Sequence, residues 1–382
     1  MPIRPRGRNR SGNLLVLSAF LMAALCGLLA FAVDMGYLHV IRSELQATAD
    51  AAAMAAAWDL IDEGVLSGAA DPYGAIDECR LRADRYADLH TVGGVAPTLS
   101  YEDVEVGQIS DPSNPYATMS FDDPSRFNAV RVRVKRNDDL NGEIALFFAR
   151  VLGFGSSAQE AEATALFLAN LSGFTIPSSG RNLNLMPFAL DMETWNALVA
   201  RTTGEDNFSY DSATGTVSSG SDGILEVNLF PQDTGSPGNR GTVDIGNNNN
   251  AVPDIRRQIL YGISPEDLEQ HGGSLEFDEN GQFFLNGDTG ISAGVKGQLE
   301  QVVGLPRIIL LFTEVVGNGD NTTYTIEGFA GVRIVEVSLT GSSKTAKRVM
   351  IQPADVQAEG MIVPSDPTQK SYFVYSSVYL IR

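Results

Sequence analysis

Residues 14–33 read LLVLSAFLMAALCGLLAFAV, twenty positions without a charged side chain. At a rise of about 1.5 Å per residue, a helix over this run is about 30 Å long, the thickness of a bilayer's hydrocarbon core. Arg4, Arg6, Arg8 and Arg10 precede it with no acid among them, whereas Asp34 comes directly after it. Arginine in excess on the short leading side holds that side in the cytoplasm. The run therefore predicts a single-pass transmembrane helix, anchored by residues such as Leu14, Leu21, Leu28 and Val33, with the bulk of the chain beyond the inner membrane. Ala30, Phe31 and Ala32 also fit a small-x-small signal-peptidase site, and cleavage there would free the chain from Val33. The apolar run exceeds the ~7–15 residues of a cleaved signal core, and no helix breaker separates it from the residues after Val33, so retention is favoured.

The helical pattern runs on past the apolar stretch. Leu38, Ile41, Leu45, Ala49, Ala52, Ala56 and Leu60 recur at steps of three and four, with no Pro or Gly between Gly36 and Gly64. This predicts one unbroken helix from about residue 13 to 62, on the order of 75 Å long. Its segment 51–57, AAAMAAA, has side chains small enough to let another backbone approach closely. Packing on the chain's own domain and packing on a partner helix are equally compatible with that pattern.

The stretch 10–57 also resembles the N-terminal module of TadE/TadG-like Flp (tight adherence) pilus-assembly proteins. That module runs from a basic-Gly start through an apolar run to Val-Asp-x-Gly and then Arg-x-x-Leu-Gln-x-x-x-Asp-Ala-Ala. The matching residues are Arg10, Gly12, Val33, Asp34, Gly36, Arg42, Leu45, Gln46, Asp50, Ala51 and Ala52. The resemblance implies a cell-envelope role in building or anchoring a pilus, with other Flp/Tad proteins as partners. Prepilins and pseudopilins of such systems carry a Glu five residues after the cleavage Gly; here the fifth residue after Gly12 is Leu17. The resemblance is thus to a TadG-like protein more than to a processed pseudopilin. The Asp-x-Ser-x-Ser motif of the metal-binding domain found in many TadG-like proteins is absent from the sequence, so metal-dependent adhesion is not implied.

Composition bounds the rest. The chain has 382 residues, 43% of them hydrophobic, enough for a sizeable core. The four leading arginines leave −24 on the remainder against a net charge of −20 for the whole, and so acidic a surface repels phosphate backbones. No nucleic-acid partner is expected. Cys26 and Cys79, the two cysteines, are not expected to pair.

Past the long helix, residues 71–90 read as a surface helix with apolar Ile76, Leu81 and Tyr86, and strands are expected over 99–109, 116–121 and 128–135. In the last of these, Val130, Val132 and Val134 alternate with Arg131, Arg133 and Lys135, the mark of a half-buried strand with a solvated basic face. A short apolar helix over 144–152 and a strand over 158–168 complete a compact, pilin-like α+β domain. From about Leu171 the composition turns to Gly, Asn, Asp and Ser, with strands expected over 274–277, 282–285, 307–315, 324–339, 348–352 and 372–381 and helices over 192–201 and 293–303. The expected organisation is a cytoplasmic basic segment (1–13), the span (14–33), an Ala-rich helical extension (34–63), an α+β domain (64–170) and a β-rich extracytoplasmic domain (171–382). The fold class is α+β.

Chemical motifs are few. Asp278, Glu279, Asn280 and Gly281 invite a calcium loop, but Gln282 and Phe283 occupy the places of a ligand and the required Gly, so a hairpin turn is expected. The run Asn247–Asn248–Asn249–Asn250 reads as a loop. Gly153-Phe154-Gly155 does not open a helix after a strand, and neither a phosphate-binding loop nor a nucleophile elbow is present. His39, His90 and His271 are scattered without metal-like spacing. No cofactor, metal, catalytic residue or small-molecule substrate is expected. The alternative to a pilus scaffold is a membrane-tethered module that binds an envelope or surface ligand.

Overall fold

The computed structural model describes residues 11–61, 71–112, 114, 117–230, 240–246, 251–317, 322–340, 347–364 and 371–381, with side chains from residue 14 onward. Helix α1 (Ser11–Trp58) is unbroken over 48 residues, as the absence of Pro and the Leu/Ala content require. Helix α2 (Pro72–Asp88) starts where Pro72 fixes the first turn and the Asp71 carboxylate accepts from the Tyr73 amide. Its buried stripe is Ile76, Cys79, Ala83 and Ala87. Leu81, though apolar, is exposed; small residues line the stripe because α2 lies against α1.

Strands β1 (Val104–Gly107), β2 (Ala129–Arg136) and β3 (Gln159–Leu166) form an antiparallel sheet beneath the two helices. The C-terminal strand Tyr379–Ile381 returns more than 200 residues later to pair with Leu166–Thr164 at its edge. In β2 the alternation is as expected: Val130, Val132 and Val134 are buried under α1. Arg131 and Arg133 bond Glu105 and Glu162 on the flanking strands, and Lys135 lies 2.5 Å from the buried Asp103. The basic face is thus matched charge for charge by β1, β3 and the turn before β1.

Residues 144–152 do not form the expected helix. Ile144–Ala145 pairs with Ser156–Ser157, and a short 3₁₀ turn, Ala149–Leu152, caps the excursion. The apolar run IALFFARVL is too short for a stable helix, and Gly153 stops it in the left-handed region at φ 94°. Residue 116 of the expected strand 116–121 lies outside the described residues; within the strand, a single bridge joins Ser120 to Gln108.

Beyond residue 171 the chain builds a closed barrel. Strands β4 (Leu185–Asp191), β5 (Gly241–Val243), β6 (Phe283–Asp288), β7 (Pro306–Val316) and β8 (Thr322–Ser338) pair in the ring β4-β5-β6-β8-β7-β4, with β7 and β4 parallel. The second half of β8 pairs outside the ring with Arg348–Pro353. Leu185, Ala189, Leu285, Ile308, Leu310, Phe312, Tyr324 and Ile326 belong to the cluster that fills the interior. Met186, Phe188, Leu190, Ile309 and Leu311 face out, beneath α3 (Met192–Val199) and α4 (Val252–Tyr261). That outer cluster is continuous with the core under α1. Gly241 and Gly287 sit where strands pass so closely that an added Cβ would lie 2.1 Å and 2.4 Å from a facing carbonyl oxygen.

The expected hairpin at Asp278 is replaced by a turn between two sheets. The Asp278 carboxylate accepts from the Asn280 and Gln282 amides, but Ser274–Glu276 pairs with Gly173–Thr175 while β6 enters the barrel. Residues 247–250 lie outside the described residues.

Candidate functional site

The module residues of α1 divide at Asp34. Before it, Leu14, Leu21 and Leu28 are 60–74% exposed and Val33 is also bare, so these side chains are left uncovered by the described residues. The helix is long and apolar enough to cross a membrane, with none of its most apolar 18-residue window buried by the protein. Arg4, Arg6, Arg8 and Arg10 lie outside the described residues.

Asp34 itself is buried. Its carboxylate accepts from the amides of Phe147 (2.9 Å), Phe148 (3.0 Å) and Ala149 (2.7 Å), at the start of the 3₁₀ turn. Burial alone would raise its pKa, but the three backbone donors hold it below the ordinary carboxylate value. Asp34 thus fastens a loop more than 110 residues away to the point where the bare helix ends. Gly36, two residues on, has open space around it, and nothing in the structure explains its glycine.

From Ile41 onward the helix is embedded. Ile41, Leu45, Ala49, Ala52, Ala53, Ala56 and Ala57 are fully buried against β2, β3 and α2. The close approach that small side chains permit is therefore used within this chain: Ala52 and Ala56 face its own sheet and helix. Arg42 donates to the Gln159 side chain at 2.7 Å, while Gln46 donates to the Asp50 carboxylate at 2.8 Å and to the Glu162 carbonyl at 3.2 Å. These polar module residues key the helix to the edge of β3, fixing its rotation and height. Glu44 accepts from the Gly93 amide at 2.7 Å; at Gly93, in the left-handed region, a Cβ would lie 2.8 Å from Ile41.

The remaining candidates do not converge on chemistry. His90 Nδ1 lies 2.8 Å from the Tyr86 carbonyl, and His271 Nε2 is buried without a partner. Burial lowers the His271 pKa, against the opposing pull of Asp244 and Asp267. Among the described residues no group of three or more His, Cys, Asp or Glu side chains is placed to hold a metal ion. Cys26 and Cys79 are both free, and burial pushes the Cys79 thiol up to about 12. In a surface cleft lined by Asn182, Asp254, Arg257, Tyr261, Glu266 and Asp267, Arg257 donates at 2.7 Å to both Asp254 and Asp267, and the three carboxylates leave the lining acidic.

One polar pair escaped the sequence reading. Arg240, nearly fully buried, donates to Asp191 at 2.7 Å and to Thr194 at 2.6 Å, while Asp191 caps α3 through the Thr194 amide at 2.8 Å. Burial opposes ionisation of Asp191, yet Arg240 and Thr194 together hold its pKa below the ordinary value. The pair ties β4, α3 and the start of β5 together.

Against this geometry, two family models match. The Flp pilus-assembly TadE/G-like family covers residues 12–59, and the Tad-like Flp pilus-assembly family covers residues 42–165. The first ends one residue past α1, and the second ends inside β3. No curated protein and no solved structure matches the chain. Over residues 12–165, helix and sheet together, the chain is similar to the Tad-like Flp pilus-assembly proteins.

Proposed function

We propose that this protein is a membrane-anchored scaffold of Flp/Tad pilus assembly, held in the inner membrane by residues 14–33 and working outside it. The observation that carries the reading is the division of α1 at Asp34: a bare apolar half of bilayer length, then a half locked rigidly into a folded domain. Such a helix holds its domain at a fixed height above the membrane. The arginines before the span and the acid after it support a cytoplasmic N-terminus.

The TadG-like character rests on Leu17, which stands where a processed pseudopilin has Glu. A structural, non-enzymatic role is what the family supports. The alternative, a tethered ligand-binding module, gains nothing from the barrel, whose interior is filled by Phe312, Tyr324 and their neighbours.

Crosslinking in living cells followed by purification of the tagged full-length chain from membranes tests the proposal. Recovery of other Flp/Tad assembly proteins is expected. Recovery of the chain from membranes with none of them would refute the scaffold role and leave the tethered module.

A further inference from the structure

The 3₁₀ turn that Asp34 fastens lies at the tip of a small hairpin, and that tip is apolar and bare. Residues 146–155 read LFFARVLGFG, with Arg150 as the sole charge. Phe147, Phe148, Val151, Leu152 and Phe154 are 46–83% exposed. The segment is nevertheless built: Leu146 donates to the Gly155 carbonyl at 3.0 Å, Phe154 to that of Ala149 at 3.1 Å, and Phe147 packs edge-on to Tyr37 with ring centroids 5.1 Å apart. A hydrogen-bonded loop that turns five large apolar side chains outward is a surface made for an apolar surrounding.

Its height along α1 says which one. Strand β3 climbs the helix with Glu162 beside Gln46 and Gln159 beside Arg42. The hairpin continues the same way, reaching Asp34, a further ~12 Å along the axis toward the span. Asp34 is the first residue after the apolar run. The tip therefore sits level with the boundary at which α1 leaves the lipid, and its apolar side chains extend the bare surface of the span sideways.

We propose that residues 146–155 dip into the outer leaflet of the inner membrane as a second, interfacial contact beside the helix. Phe147, Phe148, Val151, Leu152 and Phe154 enter the boundary between headgroups and acyl chains, and Arg150 reaches the lipid phosphates. Two contacts fix the tilt and rotation of the domain, which a single helix passing through fluid lipid leaves free. The inference rests on the membrane-anchor reading above.

The test uses the full-length protein in lipid nanodiscs, labelled in detergent before reconstitution with an environment-sensitive dye on a single cysteine. Four versions carry Cys79→Ala: one keeps Cys26, and the others carry Cys26→Ala with Leu152→Cys, Val151→Cys or Ser218→Cys. The expected result is loss of most emission at positions 151 and 152 with nitroxide lipids labelled near the headgroup. Cys26 should be quenched by nitroxides deep in the acyl chains, and position 218, in the exposed hairpin of Phe208–Asp211 and Thr216–Ser219, by neither. Unquenched 151 and 152 with Cys26 quenched would overturn the inference and spare the anchor. An unquenched Cys26 would overturn the anchor, and quenching at 218 equal to that at 152 would assign the effect to the dye and overturn the inference.

Discussion

The two halves of α1 are one continuous helix with opposite relations to the rest of the chain. Before Asp34 the large apolar side chains, Leu and Phe foremost, stand bare on every face; beyond it one face, made by Ile41, Leu45 and a stripe of alanines at 49, 52, 53, 56 and 57, is fully buried, while the opposite face stays exposed. Leu and Phe give a bilayer-facing helix its favourable transfer from water, whereas Ala lets a helix axis come close to a sheet and to a neighbouring helix. Residue size along one helix, and not helical pattern alone, separates what lipid must solvate from what the protein itself solvates. Asp34 stands at the change and is itself satisfied by three amides.

The largest effect is expected where a charge is forced into the covered half. Ala52→Glu places an unpaired carboxylate among Val and Ala side chains and should cost about 4 kcal/mol or more, unfolding the domain of residues 71–166 while the span still inserts. Protease sensitivity with unchanged membrane extraction would show it; a protease-resistant variant would mean that the covered half is loosely packed.

Next is the buried pair outside the module. Arg240→Ala leaves Asp191 without its cation and should cost about 3–5 kcal/mol, read as a lowered melting temperature. The same pair sets an acid limit. Because the folded state holds Asp191 below the ordinary carboxylate value of about 3.9, its contribution is full above that pH and is lost as pH falls through the depressed value. Asp103 beside Lys135 behaves likewise. The variant should lose the Asp191 part of the acid-side decline, which parallel melts from neutral to acid pH would reveal.

In the bare half, Leu21→Arg should cost about 2.5–3.5 kcal/mol of insertion without touching the fold of the domain, so the protein shifts toward the soluble fraction but melts normally. A loss of folding with insertion intact would invert the contrast drawn above. The smallest effect belongs to the boundary itself. Asp34→Ala removes the acceptor for three amides and should speed amide exchange severalfold within residues 146–155 alone, with the melting temperature of the domain nearly unchanged. Exchange accelerated across the whole sheet would mean that Asp34 supports more than this one loop.

Much of the first 166 residues was legible because local signals there agree. Twenty uncharged residues, an alanine stripe without breakers, Asp71-Pro72 as a helix start and the alternation of Val130, Val132 and Val134 each point to the element found. Helix α4 was not expected, although Pro253 and Asp254 in its first turn and Gly262 at its end are local signals for it. Strand β4 was harder. Leu185–Asp191 is buried on both faces, so its pattern does not alternate, and Pro187 argues against a central strand. The structure places Pro187 at an irregularity, where β7 advances from Ile308 to Leu310 while β4 advances from Leu185 to Ala189. Barrel closure, the return of Tyr379–Ile381 to the first sheet and the Asp191–Arg240 pair all depend on contacts between distant residues, which no local window contains. The fastening of residues 147–149 by Asp34 is of the same kind: the Val-Asp-x-Gly motif marks the residue but not its partner.

The orientation of α1 is the claim on which the rest turns. Alkaline phosphatase fused through a flexible linker after Arg382 measures it directly in intact cells. Full enzymatic activity is predicted, because the proposed topology puts the chain beyond Asp34 outside the inner membrane; an inactive fusion, with the protein still in the membrane fraction, would contradict the account.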